Sequence, residues 1–394
     1  MVLSKRERVI RTLELEEPDM VPIHHLGFEP TGVSNQYFIK SEEFNKIKAN
    51  IEEEVLKTKL TAINFQTGNI TELAFWKSDL HGTDPWGMLK IKSKTVNAPP
   101  EYHDSIITTY DGRIWTLAPQ VDTGLPYLWY LDGFFRTPEI VHEHWDKYGK
   151  PIDFINNRMK YTPQIWENFV NKVSKYFYPM ATLPITLHES LFEGMTIPRV
   201  AYYMRKNPQF IHEMMTEFNK VNLELIKRFA EAGVDIVFYM DDLGFKGRSI
   251  FSIEHFKEFI LPYYKQLYQA CKKNGMFVLQ HSCGYIDKLL PYMVDAGLNG
   301  IHALEPAAGV DLANLKETLG DRIAFLGGID CSNILNFGTP KDVYEEVKRC
   351  VKAAAKGGGY FAGPSHNILN APWENIIALR AAIEKYRKYP LNLN

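Results

Sequence analysis

Beyond residue 176 the chain alternates between short apolar runs and longer segments with helical spacing. The first run, Tyr178 to Leu187, ends in His188-Glu189. A helical segment follows, with Phe210, Ile211, Met214, Phe218, Val221 and Leu225 along one stripe. Gly233 ends it, and Val234 to Met240 reads as a buried strand running into Asp241-Asp242. The next helical segment spans about Ile253 to Lys272, and Pro262 within it predicts a kink or break. The apolar run Met276 to Leu279 leads into Gln280-His281-Ser282-Cys283-Gly284. Residues 286–296 have helical spacing, and Gly300 to Leu304 reads as a strand ending at Glu305-Pro306. A helix over 311–319 precedes the strand Ile323 to Leu326, which ends in Gly327-Gly328-Ile329-Asp330-Cys331. A helix over 340–355 precedes Tyr360 to Gly363, which ends in Pro364-Ser365-His366-Asn367, and a last helix spans 373–386.

The first half is less regular. Residues 4–16 predict an amphipathic helix capped by Ser4 and ended by Pro18-Asp19. Val21-Pro22-Ile23 is a short apolar run into His24-His25-Leu26-Gly27-Phe28. Residues 41–60 predict a solvated helix, and Thr83 to Gly87 a turn. Met88 to Trp115 reads as short strands turning at Asp111-Gly112, a hairpin excursion and not a strand–helix unit. Residues 119–170 are rich in Pro, Trp and Tyr without a clean period, so we read 88–170 as an insertion or lid over the site. Strand–helix alternation on this scale predicts parallel strands with helical crossovers. The expected fold is α/β, a single (β/α)8 TIM-type barrel over residues 1–394.

In that fold, chemistry sits at the C-terminal ends of the strands. Polar groups gather there: His24 and His25, His188 and Glu189, Asp241 and Asp242, His281 and Cys283, Glu305, Asp330 and Cys331, and His366. Side chains at i and i+2 leave a strand on one side, so if the strand carries on through residue 283, His281 and Cys283 point the same way. One nitrogen and one sulfur ligand so placed suit zinc; a packed core pair is the plainer alternative. His366 is a candidate third ligand or a general acid. Cys331 is a candidate soft ligand or a buried small hydrophobe. Cys271 and Cys350, on helices beside apolar neighbours, read as core. Of Asp241 and Asp242, alternation sends one to the site and leaves the other to cap the next segment. Glu189 and Glu193 are ligand, base or solvated cap. His24 and His25 face a cleft, or divide into one buried and one solvated ring. With Phe28 and Tyr239 they are the candidate substrate-binding residues. No Walker loop, dinucleotide fingerprint or serine-hydrolase elbow is present, and the Gly357–Gly359 run follows a helix as a terminator.

Composition narrows the function classes. A net charge of −2 over 394 residues, with a pI near 6.6, leaves no basic footprint for nucleic acid. Four cysteines are no disulfide framework, and a reduced, cytoplasmic protein fits best. The N-terminus lacks an apolar signal core, and no apolar run approaches the ~20 residues that span a membrane. An aromatic content of 13% suits either an aromatic-rich core or a pocket for a flat ligand.

At this point the sequence resembles the uroporphyrinogen decarboxylase superfamily. The resemblance lies in Pro18-Asp19-Met20-Val21-Pro22 and in most of the chain from 176 to 386. It includes Glu193-Gly194, Gly328-Ile329-Asp330, Gly338-Thr339-Pro340, the Gly357–Gly359 run, His366-Asn367-Ile368 and Pro372-x-Glu374-Asn375. The family fold is a distorted TIM barrel, as the alternation suggests. Decarboxylases proper carry an arginine-rich early loop for the substrate's carboxylates, whereas Val21 to Tyr37 contains no arginine. The resemblance is closer to the zinc methyltransferase branch, which works with corrinoid proteins or coenzyme M and whose His-x-Cys motif matches His281-Ser282-Cys283. The branch's usual late cysteine ligand is replaced here by His366, with Cys331 earlier. That departs from a standard coenzyme M enzyme and is closer to the O-demethylase components.

The resemblance therefore implies a zinc-dependent methyltransferase. It would move a methyl group from a small methylated donor, a methoxylated aromatic, to a corrinoid on a partner protein. His281, Cys283 and His366 would hold Zn2+, and Asp241 or Asp242 would orient the ligands or transfer a proton, with Glu189 beside them. A homodimer is compatible with this reading. The rival readings are a decarboxylase of a smaller carboxylated substrate and a non-catalytic ligand-binding barrel.

Overall fold

In a computed structural model, which describes residues 2–51, 70–88 and 94–393, the apolar runs become the staves of a barrel. Strands β1 (Leu80–Thr83), β6 (Tyr178–Leu183), β7 (Ile236–Met240), β10 (Phe277–His281), β11 (Gly300–Ala303), β12 (Ala324–Ile329) and β13 (Tyr360–Pro364) lie side by side in that order, all parallel. Parallel bridges from Ile23 to Ala362 and from His24 to Leu80 seat residues 21–24 between β13 and β1 and close the ring. The expected TIM-type α/β barrel is thus the fold.

Two faces of each stave are buried, which is why these strands read as continuous apolar runs. Leu80, Met180, Ile236, Phe238, Leu279 and Leu326 fill the inside of the ring. Helix Lys5–Leu13 plugs the bottom, adding Val9 and Leu13 to the same cluster. Ser4 and Glu7 cap that helix reciprocally. The outer layer holds the helical crossovers; in Pro208–Glu231, Phe218, Val221 and Leu225 are fully buried against the barrel wall. Each such side chain contributes roughly 1.5–3 kcal/mol on leaving water.

Several elements differ from expectation. The segment with Pro262 runs helical from Ile253 to Lys273 without a break. A π-helical turn at Phe256–Ile260 sits just before the proline and absorbs the missing donor and the ring clash. The helix expected from 286 begins at Leu290. The helix expected over 41–60 appears as Glu42–Asn50, preceded by Val33–Lys40, and the rest of it lies outside the described residues.

Residues 95–133 form a four-stranded antiparallel sheet in the order β2 (Thr95–Asn97), β3 (Ser105–Thr108), β4 (Arg113–Pro119), β5 (Pro126–Gly133), larger than the expected hairpin. Part of the expected strand region, 89–93, lies outside the described residues. Three helices follow where no period was legible: Pro138–Tyr148, Pro151–Arg158 and Pro163–Val173. Each starts at its proline, which breaks a helix interior but suits a first turn. All four cysteines are free thiols. No helix among the described residues is long and apolar enough to cross a membrane.

Candidate metal centre

Alternation along β10 turns Leu279 and His281 inward, and the chain then carries Cys283 to the rim. The Nε2 of His281 lies 3.2 Å from the Sγ of Cys283. His366, from the loop after β13, brings its ring to 5.8 Å from that of His281, centroid to centroid. One ligand atom from each of His281, Cys283 and His366 falls within 4.8 Å of the others. Bonds of about 2.0–2.3 Å in tetrahedral array place zinc ligands roughly 3.3–3.6 Å apart, so a small contraction makes this set fit. The turn after Cys283 needs glycine: Gly284 has φ +79°, and a Cβ there would stand 2.3 Å from the backbone carbon of Gly244. Gly244 opens the small hairpin of β8 (Gly244–Phe245) and β9 (Arg248–Ser249) beside the site.

Carboxylates surround the donors. Asp242 accepts the backbone N–H of Cys283 at 2.8 Å and stands 3.6 Å from the Nε2 of His281. Glu305 accepts the N–H of Gly284 at 3.1 Å. The chain reaches Glu305 through Ala303 and Leu304 at φ 112° and 58°, a conformation costing about 1–3 kcal/mol for a side-chain-bearing residue. Burial pushes the His281 imidazole down to about 4, which keeps it neutral and able to ligate. Burial, then Asp242 and Glu305, push the Cys283 thiol well up. A thiolate in that position needs a cation, and the charged side chains acting most on it are all carboxylates. Two imidazoles with one sulfur are a donor set suited to zinc.

The neighbouring aspartates part company. Asp241 is fully buried and turned outward, where its carboxylate accepts the N–H groups of Leu187, His188 and Glu189 at 3.1, 2.9 and 2.7 Å. The hydroxyls of Tyr239 and Tyr264 donate to it as well, each at 2.8 Å. Asp241 thus secures the start of helix His188–Met195, with the Tyr239 hydroxyl bonded to it. Asp242, one residue on, faces the donors because alternation reverses.

Other expected residues are placed as follows. Glu189 and Glu193 lie near the mouth, 3.6 and 2.5 Å from Arg113, which also pairs with Asp111 at 2.9 Å. Cys331 is buried against the Ser365 hydroxyl at 3.2 Å and is not one of the three grouped donors. His24 points inward, its ring edge-on to Phe238 and His302 beneath the donors. His25 turns the opposite way, bonding the Ser78 hydroxyl at 2.5 Å, and Phe28 packs among Phe38, Phe75 and Trp76. Both rings pack toward the outer helix layer, since alternation on the first stave sends only His24 inside, and His25 also lines a small cavity with His24, His81 and Phe238. The sequence reading missed His302: it sits opposite His281 in the β10–β11 register, with its Nδ1 2.7 Å from the Nδ1 of His281. Its inward position in Gly300-Ile301-His302 was the available signal.

Comparison with known proteins agrees with this picture. The sequence profile described as Uroporphyrinogen decarboxylase (URO-D) matches residues 135–386, more than half of the chain. The chain is 26% identical over 215 residues to a methylated-thiol–coenzyme M methyltransferase of Methanosarcina mazei, covering 54% of this chain and 53% of that one. It is 26% identical over 204 residues to a methylcobamide:CoM methyltransferase of Methanosarcina barkeri (52% and 56% covered), and 25% identical over 173 residues to a uroporphyrinogen decarboxylase of Chlorobium phaeovibrioides (42% and 46%). The chain thus spans about half the length of the curated relatives it matches. Among solved structures, a methyltransferase from Methanosarcina mazei superposes over 98% of this chain and 99% of its own with a TM-score of 0.62 at 14% identity, a likeness of fold.

Proposed function

The chain belongs to the uroporphyrinogen decarboxylase family, and from that premise we propose that it is a zinc-dependent methyltransferase exchanging a methyl group between a small donor and a corrinoid carried by a partner protein. The observation that carries this reading is the convergence of His281, Cys283 and His366 at the open end of the barrel. The names of two relatives, both methyltransferases of coenzyme M chemistry, support the reaction class. Zinc held by these three side chains would supply Lewis acidity at the leaving group of the methyl donor.

The chain's own groups do the rest. Asp242 holds the Cys283 backbone in place and keeps a carboxylate within 3.6 Å of His281 Nε2. Its side chain is 35% exposed, so it can exchange a proton with solvent and pass it to a departing oxygen. Glu189, 24% exposed at the rim, is the second carboxylate placed to do so. The donor we propose is an uncharged methoxylated aromatic. An anionic one would meet Asp242, Glu305 and Glu189, while the nearby Arg113 is already paired with three carboxylates. The same crowding argues against a polycarboxylate substrate and hence against uroporphyrinogen decarboxylation.

The test measures zinc in the purified protein and methyl transfer from 2-methoxyphenol to cob(I)alamin. About one zinc per chain and a methylated cobalamin product are expected. Protein that refuses zinc, or a metal-independent decarboxylation, would overturn the proposal.

A further inference from the structure

Behind the three donors runs a line of buried imidazoles. His281 and His302 are register partners on β10 and β11, both turned into the barrel and only 3% and 0% exposed. Their Nδ1 atoms are 2.7 Å apart, a distance that holds one shared proton. An imidazole that ligates through one nitrogen carries its single N–H on the other. The Nε2 of His281 faces Cys283 and Asp242. If His281 is to ligate through Nε2, the shared proton belongs to it: His302 Nδ1 then accepts the Nδ1–H of His281, and His281 Nε2 is left with a lone pair. The ring of His24, edge-on at 4.9 Å and itself tied to the Leu80 carbonyl at 3.1 Å, braces His302 in that pose.

We infer that His302 is a positioning residue for His281: by accepting its Nδ1–H it fixes the tautomer and ring orientation that present Nε2 to the metal. The role rests on the metal-binding reading of the site. Metal-bound histidines need such a partner on the other nitrogen, usually a carboxylate or carbonyl, and losing it costs about 10–100-fold in metal affinity. Here a neutral ring fills the role in a dry interior, where a second carboxylate would be costly to bury.

The experiment titrates Zn2+ alone against a competing chromophoric chelator, for wild type, His302→Asn, His302→Leu and Cys283→Ala, with folding checked by circular dichroism. His302→Leu fills the space without an acceptor and should weaken zinc by about 10–100-fold. His302→Asn places an amide oxygen near the Nδ1 position and should recover most of that loss. The cobalt(II)-loaded proteins should differ likewise in their visible ligand-field bands, which report the geometry at His281. Tight zinc binding by wild type that is equal in the Leu and Asn variants overturns the role of His302. Absence of zinc binding by wild type overturns the metal site itself, and this inference with it.

Discussion

The two ends of the barrel handle buried charge in opposite ways. At the bottom, Asp79 meets Arg8 at 2.6 Å, Arg387 at 2.5 Å, Lys5 at 3.6 Å and the Ile23 N–H at 2.9 Å. Arg8 also grips Asp19 through two nitrogens, each at 2.8 Å. Burial pushes the Asp79 carboxyl up, but Arg387, Lys5 and Arg8 outweigh it and hold it below its ordinary value. At the top, Cys283 sits among Asp242, Glu305 and Glu189. One end is saturated and ties the N-terminal helix, the first stave and the C-terminal arginine together. The other is poised for a cation. Matched charge at the bottom serves stability; at the top, Glu189 pairs with Arg113 while Asp242 and Glu305 hold the amides around Cys283, where charge serves binding and chemistry.

Four substitutions test that contrast. Cys283→Ala should reduce zinc affinity by more than about 100-fold, beyond the loss of a mere supporting partner, and abolish methyl transfer. Its unfolding midpoint in urea should stay close to wild type, because the top does not hold the barrel together. Asp79→Ala should do the reverse, leaving buried guanidinium groups without their carboxylate at a cost of about 3–5 kcal/mol by denaturant titration. Zinc binding by the fraction still folded should persist. Because the folded Asp79 carboxyl titrates below its unfolded value of 3.8, its contribution is present above that pH and lost as acid protonates the folded group. Acid unfolding of wild type near or below that pH, absent from the variant's difference curve, checks the sign.

Asp242→Asn keeps an acceptor for the Cys283 N–H but removes the charge. Zinc content should hold while turnover falls about 10–100-fold, the scale of a lost general acid–base or orienting group. A turnover equal to wild type would remove Asp242 from the chemistry. The smallest effect concerns Glu72, whose carboxyl accepts the Phe28 N–H at 2.7 Å and is pushed up to about 8 by burial. Hydrogen bonds from Phe28 and Trp76 only partly oppose this. The folded state binds the proton more tightly than the unfolded chain, so stability is full below pH 4.5 and declines as pH rises through about 8. Glu72→Gln should flatten that decline, raising Tm by a few degrees at pH 9 and changing it little at pH 4.

Much of this was legible from residue order. The alternation of apolar runs and helical stripes predicted the barrel because strands buried on both faces leave that mark. The i, i+2 spacing of His281 and Cys283 placed both on one side of a stave, and the position of His366 after the last strand placed it at the same mouth. Misreadings had local causes. Residues 119–170 showed no clean period, and Pro138, Pro151 and Pro163 each start a helix there. Pro262 read as a kink or break, and a π-helical turn just before it keeps the segment helical. A run of five, His24 to Phe28, cannot say which side of a stave each residue takes.

The sequence by itself determined the fold, the staves and the kind of atoms offered at their ends, because periodicity and residue chemistry are local properties. Tertiary structure alone decided which aspartate faces the donors, since that turns on the three amides and two hydroxyls that Asp241 finds elsewhere. It also decided that Cys331 stands apart, and that His302 lies behind His281. Those facts are distances between staves far apart in the chain, and register across a closed sheet sets them.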